Sequence, residues 1–78
     1  MGYKGEYMEY NYRIYVNGYK GYEKIAVVYD LESVKEIIDE LDPTKYCEYL
    51  VIEHNIKENS DNPIAHEFLD YNVKKLRK

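Results

Sequence analysis

The stretch YMEYNYRIYVNG, residues 7–18, decides the fold because it alternates for ten residues and then turns. Alternation of this length is typical of a half-buried β-strand. One face carries the apolar set Met8, Tyr10, Tyr12, Ile14 and Val16, and the other carries Tyr7, Glu9, Asn11, Arg13 and Tyr15. The dipeptide Asn17-Gly18 that follows is a strong signal for a tight hairpin turn. The stretch therefore predicts the first strand and the turn of a β-hairpin.

A second strand is predicted over residues 22–29, where Ile25, Val27 and Tyr29 share a face. If Asn17-Gly18 forms a two-residue turn, the numbers of opposed residues add up to 35. A four-residue loop over residues 18–21 would make the sum 39 and would leave the same side chains on the same faces. The sequence therefore predicts the two faces of the hairpin, with Ala26 and Val28 outward, and leaves the turn open.

Beyond the hairpin, the pattern predicts a helix, a strand and a second helix. The first helix follows from Leu31, Val34, Ile37, Ile38 and Leu41, with Asp30 or Ser33 as its N-cap and Asp42-Pro43 as its stop. A third strand over residues 46–54 contains the apolar run 49–52. A second helix is predicted to open at Asn62-Pro63, with the inward-facing residues Ala65, Phe68, Leu69, Val73 and Leu76.

This order predicts an α+β fold, a small two-layer ββαβα domain in which two helices pack on a three-stranded mixed sheet. We expect residues 1–78 to form a single domain with a flexible N-terminus over residues 1–6. A right-handed crossover should make the second and third strands parallel. The third strand is expected beside the second or beside the first, in the order 2-1-3.

Composition indicates a globular protein of a reducing compartment. The chain has 78 residues, 45% of them hydrophobic, and a net charge of −4. The single cysteine, Cys47, excludes an intramolecular disulfide and fits a cytoplasmic location. No apolar run has the length of a signal peptide or of a membrane span, so we expect no membrane partner.

The residues available for catalysis are few, and we expect neither an enzyme nor a metal or cofactor site. Cys47 and His54 have opposite parity on the third strand, so they point to different faces. His66 and Asp70 would lie one helical turn apart but lack a third metal ligand nearby. The four glycines form no phosphate-binding pattern.

Tyrosine is the residue type in clear excess, with eleven in the chain and seven of them before residue 23. An AT-rich genome would favour tyrosine, but it would not concentrate the tyrosines at one end. Tyrosine and arginine are enriched where proteins contact partners. The outer hairpin face therefore predicts a protein-binding surface formed by Tyr7, Arg13, Tyr15, Tyr22 and Lys24.

A second candidate surface is acidic and lies on the first helix, with Glu32, Glu36, Asp39 and Glu40. Glu32, Glu36 and Glu40 are spaced four residues apart, and like charges at this spacing weaken a helix slightly. The plain interpretation is a solvated face. The sharper one is a surface that docks on a basic groove of a partner.

These features favour a small protein-binding module, most concretely a stoichiometric inhibitor of a nucleic-acid-handling host enzyme. The chain is similar in overall character, though not in any motif, to small accessory proteins of phages and mobile elements, many of which inhibit host defence nucleases, as anti-CRISPR proteins do. An alternative is single-stranded nucleic-acid binding through the tyrosine and basic sheet face, which the net acidic charge disfavours. A homodimer that buries the hairpin face is a third possibility.

Overall fold

The computed structural model describes residues 9–70 and 72. Residues 9–70 form one four-stranded sheet and one helix. The elements are β1 (Tyr10–Asn17), β2 (Tyr22–Val28), α1 (Leu31–Asp39), β3 (Glu48–Asn55) and β4 (Ser60–Phe68). The strands lie in the order β2-β1-β3-β4, and every neighbouring pair is antiparallel. The prediction of a three-stranded mixed sheet under two helices is therefore wrong, although the fold is still a small α+β arrangement.

The predicted hairpin is present, and its loop is the four-residue alternative over residues 18–21. Near the loop, Asn17 lies opposite Tyr22. Gly21 has a φ of 93°, which a side chain would strain. Gly18 has another role, because a Cβ atom there would lie 2.9 Å from the backbone oxygen of Lys45. The two glycines thus allow the turn and its close approach to the segment before β3.

A β-bulge at Ile25 reverses the predicted faces of the far half of β2. Ile14 pairs with Ala26, whereas Tyr15 pairs with Lys24, so Ile25 is the extra residue. As a result, Ala26 and Val28 pack against the core. Ile25 and Val27, which the alternation placed inward, are 37% and 41% exposed.

The helix α1 is the predicted one, and Asp30 is its N-cap. The Asp30 carboxylate accepts a hydrogen bond from the backbone N–H of Ser33 at 2.7 Å, which satisfies one of the free donors of the first turn. The helix packs against β1 and β2, with Val34 buried at its centre. Leu41 is also buried just beyond the helix end.

The strand β3 lies beside β1, as in the 2-1-3 alternative. Because β2 and β3 are both antiparallel to β1, they run in the same direction without being neighbours. The sheet therefore contains no parallel pair. Its centre is buried where Ile14 lies opposite Val51, each with no solvent-exposed surface.

The predicted second helix is wrong, because residues 60–68 form the edge strand β4 and pair with β3. A tight turn precedes it, in which Asn59 adopts a φ of 53° and the Asn55 side chain accepts a hydrogen bond from the Glu58 N–H. Pro63 does not begin a helix but occupies an edge strand, where proline is tolerated. Val73 and Leu76, which the prediction placed on that helix, lie outside the described residues.

The core lies between α1 and the sheet. Its buried members are Tyr12, Ile14, Val16, Val34, Leu41, Tyr49 and Val51. Burial, followed by the nearby charge of Glu53, raises the pKa of Tyr12. Tyr10 was expected inside with it but is 39% exposed, near the strand end. Met8, the first member of the predicted inner face, lies outside the described residues.

Candidate functional site

The face of the sheet opposite α1 is the candidate site, and no helix or strand of the described residues packs on it. We call it the open face. Arg13 and Tyr15 lie on this face because they alternate with buried residues along β1. Residues that pair with the β1 members of this face, directly or through β3, lie on the same face. They are Asn11, Arg13, Tyr15 and Asn17 from β1; Tyr22, Lys24 and Val27 from β2; Glu48, Leu50, Ile52 and His54 from β3; and Asp61, Pro63, His66 and Phe68 from β4.

The middle of the open face is apolar and aromatic with one arginine. Tyr15 lies opposite Leu50, and Arg13 lies opposite Ile52. These four side chains are half-buried. Towards the two edges of the sheet the residues are exposed, as at Val27 with 41% exposure. An apolar centre that contains tyrosine and arginine is typical of protein contact surfaces.

At one end of the open face, four polar residues, one from each strand, form a hydrogen-bonded cluster. Glu48 is its centre and is only 9% exposed. One carboxylate oxygen accepts from the Asn17 amide at 2.7 Å, and the other accepts from Nε2 of His66 at 2.8 Å. The hydroxyl of Tyr22 lies 3.3 Å from the same His66 nitrogen. We call Asn17, Tyr22, Glu48 and His66 the Glu48 cluster.

The Glu48 cluster holds its carboxyl group in the charged form. The hydrogen bond from Asn17, and then the one from His66, lower the pKa of Glu48 below its usual value, although burial opposes them. Tyr22 responds in the opposite way. Burial, then the hydrogen bond and charge of Glu48, raise the pKa of Tyr22, so its hydroxyl stays protonated.

The other end of the open face carries a second histidine–carboxylate pair. Nδ1 of His54 donates to Asp61 at 2.6 Å, and the His54 side chain is 13% exposed. The position of His54 near the end of the third strand predicts a solvated side chain, but its neighbours enclose most of the ring. Both histidines of the chain therefore lie on the open face, each bonded to a carboxylate.

Four of the five predicted hairpin residues come together on the open face. Tyr15 and Lys24 are direct neighbours across the β1–β2 pair, and Arg13 and Tyr22 lie on either side of them. Tyr7, the fifth, lies outside the described residues. The four acidic residues do not join them.

Those acidic residues are exposed on α1, on the far side of the sheet: Glu32, Glu36, Asp39 and Glu40. Three of them border a shallow hollow that also includes Ile37 and Leu41. A flat partner surface therefore cannot cover the open face and the acidic helix together. The predicted site is divided into two surfaces with the core between them.

Sequence reasoning missed Glu48, Leu50, Ile52 and His66 as members of the site. Leu50 and Ile52 alternate with the buried Tyr49 and Val51, so parity would have found them once both faces of β3 were considered. His66 was placed on a helix with Asp70, and the strand instead carries it to Glu48. The hydrogen bond between His66 and Glu48 joins residues 18 positions apart, and no local sequence pattern predicts it.

The side chains that metal binding or nucleophilic chemistry could use have defined surroundings in the described residues. No group of three or more His, Cys, Asp or Glu side chains within the described residues is placed to hold a metal ion. Cys47 is exposed, and its thiol lies 3.2 Å from the backbone oxygen of Asn17. His66 makes both of its side-chain polar contacts through one nitrogen, Nε2, which bonds to Glu48.

Comparison of the chain with protein-family models, with curated proteins and with solved structures finds no match of any of the three kinds. No helix in the described part of the chain has the length and the apolar composition that crossing a membrane requires. The residues of the open face and of α1 are therefore the basis for any functional proposal.

Proposed function

We propose that the protein is a protein-binding module that contacts its partner through the open face. The observation that supports this proposal most is the apolar centre of that face, where Tyr15, Leu50 and Ile52 surround Arg13. A sheet normally buries both faces when both carry apolar residues. A partner that covers the centre would remove these side chains from water, and the hydrophobic effect would drive the contact.

The Glu48 cluster supports the proposal from the rim. A preformed hydrogen-bond network fixes the side chains of Tyr22 and His66 before a partner arrives. Ordering long side chains on binding costs free energy, so a rim that is already ordered favours association.

In its most specific form, the proposal is that the partner is a nucleic-acid-handling enzyme that the protein inhibits stoichiometrically. The support is the acidic side of α1, where Glu32, Glu36, Asp39 and Glu40 are exposed and can face a basic groove. Since α1 and the open face point in opposite directions, the two surfaces would contact different parts of the partner or two different partners.

The test compares two tyrosines of the same hairpin. Tyr15 is half-buried on the open face, whereas Tyr19 projects fully from the loop with 101% exposure. We expect Tyr15→Ala to weaken binding of a partner recovered from host lysate and identified by mass spectrometry by about 30-fold, which is about 2 kcal/mol. Tyr19→Ala should leave the affinity within about 3-fold of the unmodified protein.

The inhibitor form has its own readout. If the recovered partner is a nuclease or another nucleic-acid enzyme, its activity should fall linearly until one equivalent of this protein has been added. A partner that binds Tyr15→Ala as tightly as the unmodified protein would exclude the open face as the contact surface.

A second candidate function is single-stranded nucleic-acid binding on the same face. Tyr15 and Tyr22 could stack on bases while Arg13 and Lys24 contact phosphates. The carboxylates of Glu48 and Asp61 lie on that face as well, and they would repel a phosphate chain. A salt-titrated shift assay with a single-stranded oligonucleotide distinguishes the two functions, because phosphate contacts produce a steep loss of affinity with salt.

A further inference from the structure

Arg13 is the half-buried cation of the open face, and no carboxylate of the described residues pairs with it, whereas Lys24 is exposed to solvent. Glu48 is held by Asn17 and His66, and Asp61 is held by His54. No ion pair or side-chain hydrogen bond of Arg13 is present among the described residues. Arg13 is therefore a half-buried residue whose guanidinium donors have no partner among the described residues.

The neighbours of Arg13 are apolar on both sides. Val27 of β2 and Ile52 of β3 lie directly opposite it, and Tyr15 follows it along the same face of β1. A partner that covers these residues also removes the guanidinium from water. A buried charge without a counter-ion is strongly unfavourable, so such a partner must bring an acceptor for it.

We propose that the open face binds a partner protein surface that presents an Asp or Glu carboxylate, ringed by apolar side chains, to Arg13. The planar guanidinium offers two parallel N–H donors to one carboxylate, which gives the contact a fixed geometry. This inference rests on the proposed function, since it names the chemistry of the partner at the same face.

Two other occupants fit the face less well. A second copy of the chain, packed face to face, would bring Glu48 and Asp61 as the open-face carboxylates of the described residues, and both lie at the ends of the face and already bond to histidines. A nucleic acid needs a row of cations along its backbone. The open face offers only Arg13 and Lys24 among the described residues, with two carboxylates nearby.

The test selects binding peptides from a displayed library of random 12-residue sequences, in parallel on the unmodified protein and on Arg13→Glu. We expect peptides selected on the unmodified protein to share one acidic position flanked by apolar residues. Peptides selected on Arg13→Glu should carry Lys or Arg at that position instead, because the charge on the protein has been reversed.

Synthetic peptides then test the contact by a double-mutant cycle. Replacing the shared acid by its amide should weaken binding to the unmodified protein at least about 10-fold. The same replacement should have less than about 2-fold effect on Arg13→Gln, since the partner group is already gone. Lys57→Gln is the matched control, because Lys57 is an exposed cation of the β3–β4 turn outside the open face, and it should change affinity less than about 3-fold.

The possible failures are distinct. Peptides that bind Tyr15→Ala more weakly than the unmodified protein are recognised as open-face peptides. If these peptides share no acidic position, the role of Arg13 is overturned and the proposed function stands. If selection yields no peptide that Tyr15→Ala weakens, both fail. Binding of a twelve-nucleotide oligothymidine that Arg13→Gln abolishes would assign the face to nucleic acid. A doubling of mass on sedimentation that Arg13→Gln abolishes would assign it to a second copy. Either result would overturn the inference.

Discussion

On the side of the sheet that α1 covers, β1 and β3 bury Ile14 and Val51 completely, while on the open face the adjacent residues Tyr15 and Leu50 stay half-exposed. The two faces are built from the same strands, yet the centre of the covered face is fully buried and apolar, whereas the centre of the open face is half-exposed and contains an arginine. The covered face is organised to hold the fold together. The open face has an apolar centre that the fold does not need to bury.

The largest effect should be the difference in unfolding free energy between substitutions at two successive residues of β1, one on each face of the sheet. We expect Ile14→Ala to lower the free energy of unfolding by about 3 kcal/mol, because the side chain is fully buried and leaves a cavity. Tyr15→Thr, one residue along the same strand, should cost less than about 1 kcal/mol, since threonine keeps the strand preference. Urea denaturation of both variants measures the difference. Equal losses would show that the open face also holds the fold.

Acid should reveal the contribution of the Glu48 cluster. The pKa of Glu48 is lower in the folded protein than its ordinary value of 4.5, so the unfolded chain takes up a proton first as the pH falls. The stabilisation is thus complete above about pH 5 and disappears as the pH falls through the folded pKa. Glu48→Gln should be less stable than the unmodified protein at pH 7, and the difference should shrink towards pH 3.

Thermal unfolding across that pH range is the measurement for Glu48, and Glu58 provides a control. Glu58 is exposed in the β3–β4 turn, and Glu58→Gln should follow the pH profile of the unmodified protein. Parallel profiles for Glu48→Gln and the unmodified protein would show that the charge of Glu48 does not stabilise the fold.

A smaller gain in stability is expected at Asn11. Its side-chain oxygen is buried and has no hydrogen-bond partner in the part of the chain that the structure describes, and an unsatisfied buried acceptor lowers stability. Asn11→Val removes the acceptor and adds a residue that favours strands, so the unfolding free energy should rise by about 1 kcal/mol. A loss of stability in urea denaturation would mean that the amide makes a contact worth keeping.

The acidic side of α1 should affect the rate of association more than the stability of a complex. Reversing Glu32, Glu36 and Glu40 to lysine should slow association with a basic partner severalfold at low salt, because steering charges act before contact. The dissociation rate should change little. Stopped-flow measurements at two salt concentrations test this, and an unchanged association rate would leave the helix with a solvated face only.

Sequence alone was sufficient for the hairpin and for α1, because each has a local signal. Tyr10 to Val16 alternates, and Asp30 precedes a helical apolar stripe. The sequence alone was insufficient for residues 25–28 of β2. The bulge at Ile25 exchanges the inward and outward residues beyond it, and nothing in the local sequence marks the bulge. Arg13, Tyr15, Tyr22 and Lys24 nevertheless share a face, because the shift begins beyond Lys24.

The strand β4 was missed for a different reason. Eight of its nine residues are exposed, and Ala65 alone is half-buried. A strand that buries almost nothing needs no alternation, so Asn62-Pro63 was interpreted as a helix start. Its pairing with β3 determines its structure, and the pairing brings His66 to Glu48. The candidate site could not be completed without that long-range contact.

Both edge strands of the sheet, β2 and β4, contain a β-bulge. Ile25 on β2 and Ile64 on β4 are each the extra residue of a bulge, and Pro63 precedes the second. Strands rich in Tyr, Val and Ile are prone to add further strands at their edges and grow into fibrils. A bulge breaks the row of hydrogen-bonding groups that such growth requires. The protein should therefore tolerate high concentration without forming amyloid, despite its tyrosine content.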